Sequence, residues 1–191
     1  MNSATDVYAV GEKGVFVHFD GTQWSSIDAG VSAPLRSLWG DGTGAVYVAG
    51  WKGTVLRWDG AAFADVPLPA GLARDAGFSP NYIIGSKPSD LWILAGNRDA
   101  LRFNGNGWIS HPFVTKPGDA VTAIWPVGDG FAYALVRRGS AAFVDRFDGF
   151  RTVSIPVPTT SRSISGLGNE IVVLTGSALL RYRHDPADVF P

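Results

Sequence analysis

The 191 residues suffice for one domain with a proper core, and a formal net charge of −1 gives no electrostatic case for nucleic acid or an anionic membrane. There is no cysteine, which excludes disulfides, thiolate chemistry and Cys-ligated metal, and no apolar run is long enough for a transmembrane helix. Charged residues are 17%, Asp (15) far outnumbers Glu (2), and Gly (24) and Pro (12) are plentiful, so turn formers abound, helix formers are scarce, and the composition predicts an all-β chain.

The first unit, residues 1–34, opens with MNSATDVYAVG, which lacks the basic and apolar regions of a signal peptide. Strands are predicted at Asp6 to Gly11, Val15 to Phe19 and Trp24 to Ile27, with the turn Asp20-Gly21 between the last two. The second unit, 35–78, predicts strands at Leu35 to Gly40, Ala45 to Gly50, Thr54 to Trp58 and Phe63 to Val66. Its 40–44 stretch, Gly-Asp-Gly-Thr-Gly, lacks the Lys and following helix of a phosphate loop and reads as a turn. The third unit, 79–118, repeats the order at Asn81 to Gly85, Asp90 to Gly96, Ala100 to Phe103 and Trp108 to His111. The fourth, 119–160, does so at Val121 to Pro126, Phe131 to Val136, Phe143 to Phe147 and Phe150 to Ile155. The fifth, 161–191, predicts three strands, Arg162 to Gly166, Ile171 to Gly176 and Leu179 to Tyr182.

Four strand types, A to D, therefore cycle in fixed order. The turn between C and D recurs at Asp20, Asp59, Asn104 and Asp148, spaced 39, 45 and 44 residues apart, and the copy at Asp148-Gly149-Phe150 reads as a shortened one. A period of about 40–45 residues with four short strands per unit predicts a β-propeller. The count is 18 strands, with no A strand in the first unit and no D strand in the last. The expectation is a single propeller over 1–191, five blades with incomplete terminal blades, or alternatively a piece of a larger propeller prone to self-association. Blade faces buried on both sides explain runs such as Ile171-Val172-Val173-Leu174. The aromatics after the C–D turn, Trp24, Phe63, Trp108 and Phe150, are expected to fill the outer wedge between blades.

Residues 6–24 (Asp6-Val7-Tyr8-Ala9-Val10-Gly11 through Asp20-Gly21 and Trp24) resemble bacterial propeller repeats of the form D-V-Y-A-V-G-x-x-G followed by D-G-x-x-W. Residues 45–63 match with Ala45 and Phe63 as departures, 90–108 and 131–150 diverge, and the last copy replaces the Asp-Gly with Arg183-His184. The pattern is similar to the Asp-box and BNR-type repeats of sialidase-like and other secreted propellers. That resemblance implies the fold and an extracytoplasmic location, and it implies no activity.

Three phased positions carry candidate chemistry. The turn Asp reads as a backbone ligand with Gly supplying positive φ. A basic residue stands two positions before it in every unit (His18, Arg57, Arg102, Arg146, Arg181) and reads as a structural partner of Asp or of a ring. The B–C turns carry Lys13, Lys52, Arg98 and Arg138, with Arg137 beside the last. With Trp51 as a stacking face, they form a candidate basic rim for an anionic ligand. The long connection from Pro67 to Pro80 adds Arg74, and 112–119 and 156–161 are its counterparts. His18, His111 and His184 lie in different units and are expected to have no close carboxylate or second His, so no metal and no cofactor are expected.

The leading expectation is a non-catalytic binding module for a glycan or a protein, without nucleic acid or membrane insertion. The candidate site comprises Lys13, Trp51, Lys52, Arg98, Arg138 and Arg74. An axial glycoside hydrolase or lyase is the alternative. It would need a carboxylate pair, and Glu12 and Glu170 are in different units without an evident partner. A structural part of a longer secreted protein is the third reading.

Overall fold

The computed structural model describes residues 4–70, 72, 77–96, 99–111, 113, 116–167 and 170–184. It is all-β. Among the described residues, eighteen strands form five antiparallel sheets and the one helical element is the 3-10 turn Glu12–Gly14. Among the described residues no helix is long and apolar enough to cross a membrane.

Each sheet is a meander in chain order. The first holds β1 (Val7–Val10), β2 (Phe16–Phe19) and β3 (Trp24–Ser26). The second holds β4 (Leu35–Gly40), β5 (Val46–Gly50), β6 (Thr54–Trp58) and β7 (Phe63–Asp65). The third holds β8 (Pro80–Lys87), β9 (Asp90–Ala95), β10 (Asp99–Phe103) and β11 (Trp108–His111). The fourth holds β12 (Ala120–Gly128), β13 (Phe131–Arg138), β14 (Ala141–Phe147) and β15 (Thr152–Val157). The fifth holds β16 (Ser163–Leu167), β17 (Glu170–Leu174) and β18 (Leu179–Arg183). The cycle of four strand types and the three-stranded terminal sheets are as the sequence predicts.

The chain divides into two compact units, residues 1–96 with 100–110 and residues 97–99 with 111–191. In the first unit, β5 makes the packing plain. All five of its residues are buried. Val46 and Val48 join Phe16, Leu35, Leu56 and Trp58 on one side. Tyr47 and Ala49 join Ile83, Leu91 and Ile93 on the other. Period-two alternation thus persists, and both faces meet apolar neighbours. In the second unit, Tyr133 and Leu135 of the fourth sheet pack on Ile164, Ile171 and Val173 of the fifth. Each such side chain contributes about 1.5–3 kcal/mol when fully buried.

The aromatics after the C–D turns do not all serve as the expected filler. Phe63 packs edge-on against Phe16 at 4.9 Å, and Trp108 packs on the cluster around Ile83 and Leu91. Trp24, however, is 54% exposed and Phe150 is 95% exposed. Phe150 departs because the fourth turn is full length, not shortened. Arg151 closes it, and Thr152, opposite Phe147, takes the place that Trp24 takes opposite Phe19. The buried aromatics lie mainly on the second and third strands: Tyr47, Trp92 and Tyr133, with Phe16, Trp58 and Phe147.

The C–D turns share one geometry. Asp20 Oδ1 accepts the N–H groups of Thr22 (2.8 Å) and Gln23 (2.9 Å), and Asp59 Oδ1 accepts those of Ala61 (2.9 Å) and Ala62 (2.8 Å). Asn104 Oδ1 accepts those of Asn106 and Gly107, both at 3.0 Å. Asp148 Oδ1 accepts those of Phe150 (2.9 Å) and Arg151 (2.7 Å). The following glycine has φ of 91–98° in every copy, which a side chain rarely adopts. These backbone bonds are the main cause holding the Asp20, Asp59 and Asp148 carboxyls below the usual aspartate range. Asn104 does the same work uncharged, so the turn needs an acceptor and not a charge.

Candidate functional site

The candidate site starts from two hairpin turns in the first unit. In Glu12-Lys13-Gly14-Val15, Val15 N–H donates to Glu12 O at 3.1 Å, and Lys13 and Gly14 have φ of 56° and 73°. In Trp51-Lys52-Gly53-Thr54, Thr54 N–H donates to Trp51 O at 3.3 Å, and Lys52 and Gly53 have φ of 58° and 60°. Two successive left-handed residues turn the chain in the sense that suits twisted strands. A lysine there is uncommon. In both turns a glycine follows it, and in the first it takes a confined place: a Cβ on Gly14 would lie 1.8 Å from the Val31 carbonyl oxygen.

The loop from the first sheet to the second runs between these turns. Leu35 N–H donates to Gly11 O at 2.9 Å, and Trp51 N–H donates to Pro34 O at 3.0 Å. Gly53 N–H donates onward to Phe78 O at 2.6 Å. Backbone bonds therefore fix the loop on both sides, and Lys13 and Lys52 flank it. Between loop and turn lies a depression of about 250 Å³, lined by Gly30, Val31, Ser32, Ala33, Lys52 and Thr54. The Asp28 carboxylate is turned into its own backbone, accepting Gly30 N–H at 2.9 Å.

Arg36 completes the rim. The β4–β5 register slips between Leu35 and Ser37, so Arg36 is the extra residue of a bulge. A bulge bends the strand and re-aims its side chain. The Arg36 guanidinium meets Glu12 Oε1 at 2.9 Å and lies 4.6 Å from the Trp51 ring centroid. One face of Trp51 is thereby covered by an ion-paired cation, and Glu12 is paired with Arg36 and not with a second carboxylate. Sequence reasoning passed over Arg36 because it sits within an apolar strand. The same slip recurs at Asn81 of β8 and Thr122 of β12, both exposed, so the bulge is phased with the repeat.

The other expected site residues are placed differently. Arg138 is not in a turn. It ends β13, opposite Ala141, so this hairpin has a two-residue loop where the second sheet has three. Gly139, with φ of 59°, takes the left-handed position. The Arg138 guanidinium pairs with Asp145, at 3.0 Å from Nη1 to Oδ1 and by a second bond from Nη2 to Oδ2. It also reaches Ser154 Oγ at 3.2 Å and lies over the Phe143 ring. Asp145 is fully buried, so this cation neutralises a charge inside its own sheet. Arg137 donates to Thr159 O at 3.0 Å. Arg74 and Arg98 lie outside the described residues.

The phased basic position on the C strand behaves as a structural partner in two units. Arg102 donates to Asp90 at 2.8 Å and lies 5.9 Å from the Trp92 ring. His18 meets Asp6 at 2.8 Å and stacks on Tyr8 at 4.3 Å. This corrects the expectation that no carboxylate attends His18. Among the described residues, no group of three or more His, Cys, Asp or Glu is close enough to hold a metal.

No protein-family model matches the chain, and no curated protein matches it. Among solved structures it is similar to YCF48 bound to D1 peptide, with TM-score 0.63 and 17% identity over 98% of this chain and 62% of that one. It is similar to the WD40 β-propeller domain of Doa1, with TM-score 0.67 and 8% identity over 96% and 63%. It is also similar to the extracellular domain of BT4673 from B. thetaiotaomicron, with TM-score 0.66 and 14% identity over 95% and 26%. The chain spans less than two thirds of the length of each. Identities this low carry the architecture alone, and the architecture they carry is the β-propeller.

Proposed function

We propose that this chain is a non-catalytic binding propeller that takes a protein ligand at the mouth formed by the B–C turns of its first two sheets and the loop between them. An acidic segment of the ligand meets Lys13 and Lys52. The observation that carries this reading is that two lysines, with no ion-pair partner among the described residues, flank one loop fixed by backbone bonds. The peptide bound to the similar propeller YCF48 supports a protein ligand over a glycan. So does the Trp51 ring, because Arg36 occupies a face on which a sugar would stack. The uniform Asx turns support a kinship with Asp-box repeats, and with it a place outside the cytoplasm.

The test is Lys13→Ser with Lys52→Ser, measured by fluorescence polarisation of a labelled deca-glutamate peptide. Two exposed pairs of about 0.5–1 kcal/mol each give a roughly five- to thirtyfold loss of affinity. Salt of about 1 M, where the screening length is about 3 Å, weakens the parent and not the variant. Equal affinity of parent and variant refutes the reading.

A further inference from the structure

Thr54 opens β6 and is 1% exposed, yet its hydroxyl has no hydrogen-bond partner. Its backbone is fully employed, with the N–H closing the Trp51 turn and the residue paired with Gly50. The fold therefore uses the peptide unit of Thr54 and leaves the hydroxyl unused. A buried hydroxyl without a partner is costly, and a valine of nearly the same shape avoids that cost. Thr54 also lines the depression, beside Lys52 and Ser32.

The depression has a defined capacity. Its volume of about 250 Å³ leaves room for one acidic side chain. Its polar side chains are one cation and two hydroxyls, on Lys52, Thr54 and Ser32. Lys52 is exposed and has no ion-pair partner among the described residues. A carboxylate offers two acceptor oxygens and a single negative charge, which matches one ammonium and an O–H donor. A carboxamide would leave the ammonium uncompensated. The remaining lining, Val31 and Ala33 with Gly30, suits the methylene stem of a side chain.

We infer that this depression is a carboxylate subsite, in which Lys52 Nζ and Thr54 Oγ1 hold an Asp or Glu side chain of the protein ligand. The inference rests on the reading that the ligand binds at this mouth. It explains why a costly buried hydroxyl is kept where the fold does not require one.

The test separates stability from binding. Thr54→Val removes the hydroxyl and Thr54→Ser keeps it while removing a methyl. Each is measured by thermal melting and by binding of the labelled deca-glutamate peptide, with deca-glutamine as the neutral control. Thr54→Val is expected to melt no lower than the parent and to bind at least about tenfold more weakly, since a bond to a charged group is lost. Thr54→Ser is expected to melt lower and bind like the parent. Lys52→Met is expected to lose roughly two- to fivefold, as one exposed ion pair does. If Thr54→Val binds like the parent while the lysine variants lose affinity, the subsite is wrong and the mouth stands. If Thr54→Val melts lower than the parent, the hydroxyl belongs to the fold and the subsite is wrong. If neither the lysine nor the threonine variants change affinity, or the parent does not bind deca-glutamate, both readings fall. A hyaluronan oligosaccharide bound in a Thr54-dependent way, with the peptide silent, keeps the carboxylate and overturns the protein as its source.

Discussion

Removing the guanidinium of Arg138 isolates a charge at the centre of the fourth sheet. Asp145 is fully buried, and Arg138, with about a quarter of its side chain exposed, supplies two hydrogen bonds to its carboxylate. Ser154, across the strand pair from Asp145, shares the same guanidinium at 3.2 Å. Arg138→Met keeps the stem over Phe143 and deletes the cation. Breaking a buried pair on one side costs about 3–5 kcal/mol, and the partial exposure of Arg138 places this case near 3. For a chain of this size, ~3 kcal/mol corresponds to a melting shift of about 6–12 °C. Urea unfolding followed by circular dichroism gives the free energy, and Asp145→Leu with Arg138→Met closes the cycle. The double variant, with no charge left to bury, is expected to recover most of the loss. A loss below about 1 kcal/mol in Arg138→Met, or a double variant no better than the single, refutes the account of Arg138 as a structural cation. Peptide binding at the first two sheets should be unchanged in both variants.

Gly14→Ala forces a Cβ to within 1.8 Å of the Val31 carbonyl oxygen at a φ of 73°, so the loop must move; unfolding should register a loss of at least about 2 kcal/mol and binding at the mouth should weaken. Replacing Asp20, Asp59 and Asp148 together by Asn alters the acid side of the stability profile. Their folded carboxyls titrate below the ordinary value of about 3.9, so their contribution is full above that pH and is lost as pH falls through the folded values. The triple variant should match the parent near neutrality and lose less stability below about pH 4, read from urea midpoints across pH. Phe150→Ser, at an exposed turn, should change stability by less than about 0.5 kcal/mol, whereas Trp92→Ala, fully buried in β9, should cost about 3–5 kcal/mol. Comparable losses in the last two would mean that the outer aromatics bear the packing after all.

The strand order was legible because its signals are local. Asp-Gly followed by an aromatic, and short β-branched runs ending in Gly, report turns and strands without reference to the rest of the chain. What depends on pairing was not legible. Phe150 and Trp24 look alike beside their Asp-Gly turns, yet Phe150 lies within the four-residue turn and Trp24 lies after it. Arg138 looks phased with Lys13 and Lys52, but its hairpin is one residue shorter than that of Lys52, so it falls in the strand beside a buried aspartate. Arg36 reaches the rim through a register slip that only the partner strand β5 defines. The partner of Glu12 lies 24 residues away and that of His18 lies 12 residues back, separations at which sequence proximity is silent.

The same division explains how a repeat scaffold can carry a specific site. At the mouth of the first unit the bonds that tie the turns and strands to the loop are made by backbone atoms: Gly11 to Leu35, Pro34 to Trp51, Phe78 to Gly53. Main-chain bonds are indifferent to the side chains they carry, so Lys13, Lys52 and Ser32 project from a frame that holds whatever their identity. Arg36, set free by its bulge, adds a fourth such position. At this mouth Thr54 differs from them, because it is buried like a core residue but keeps a polar atom the core does not use. Exposed polar residues on a rigid frame are neutral to stability and say little about role. A buried polar atom without a partner is costly, so its presence calls for a partner that folding does not supply. The lysines give the mouth its charge. The threonine supplies the neutral donor of the proposed subsite.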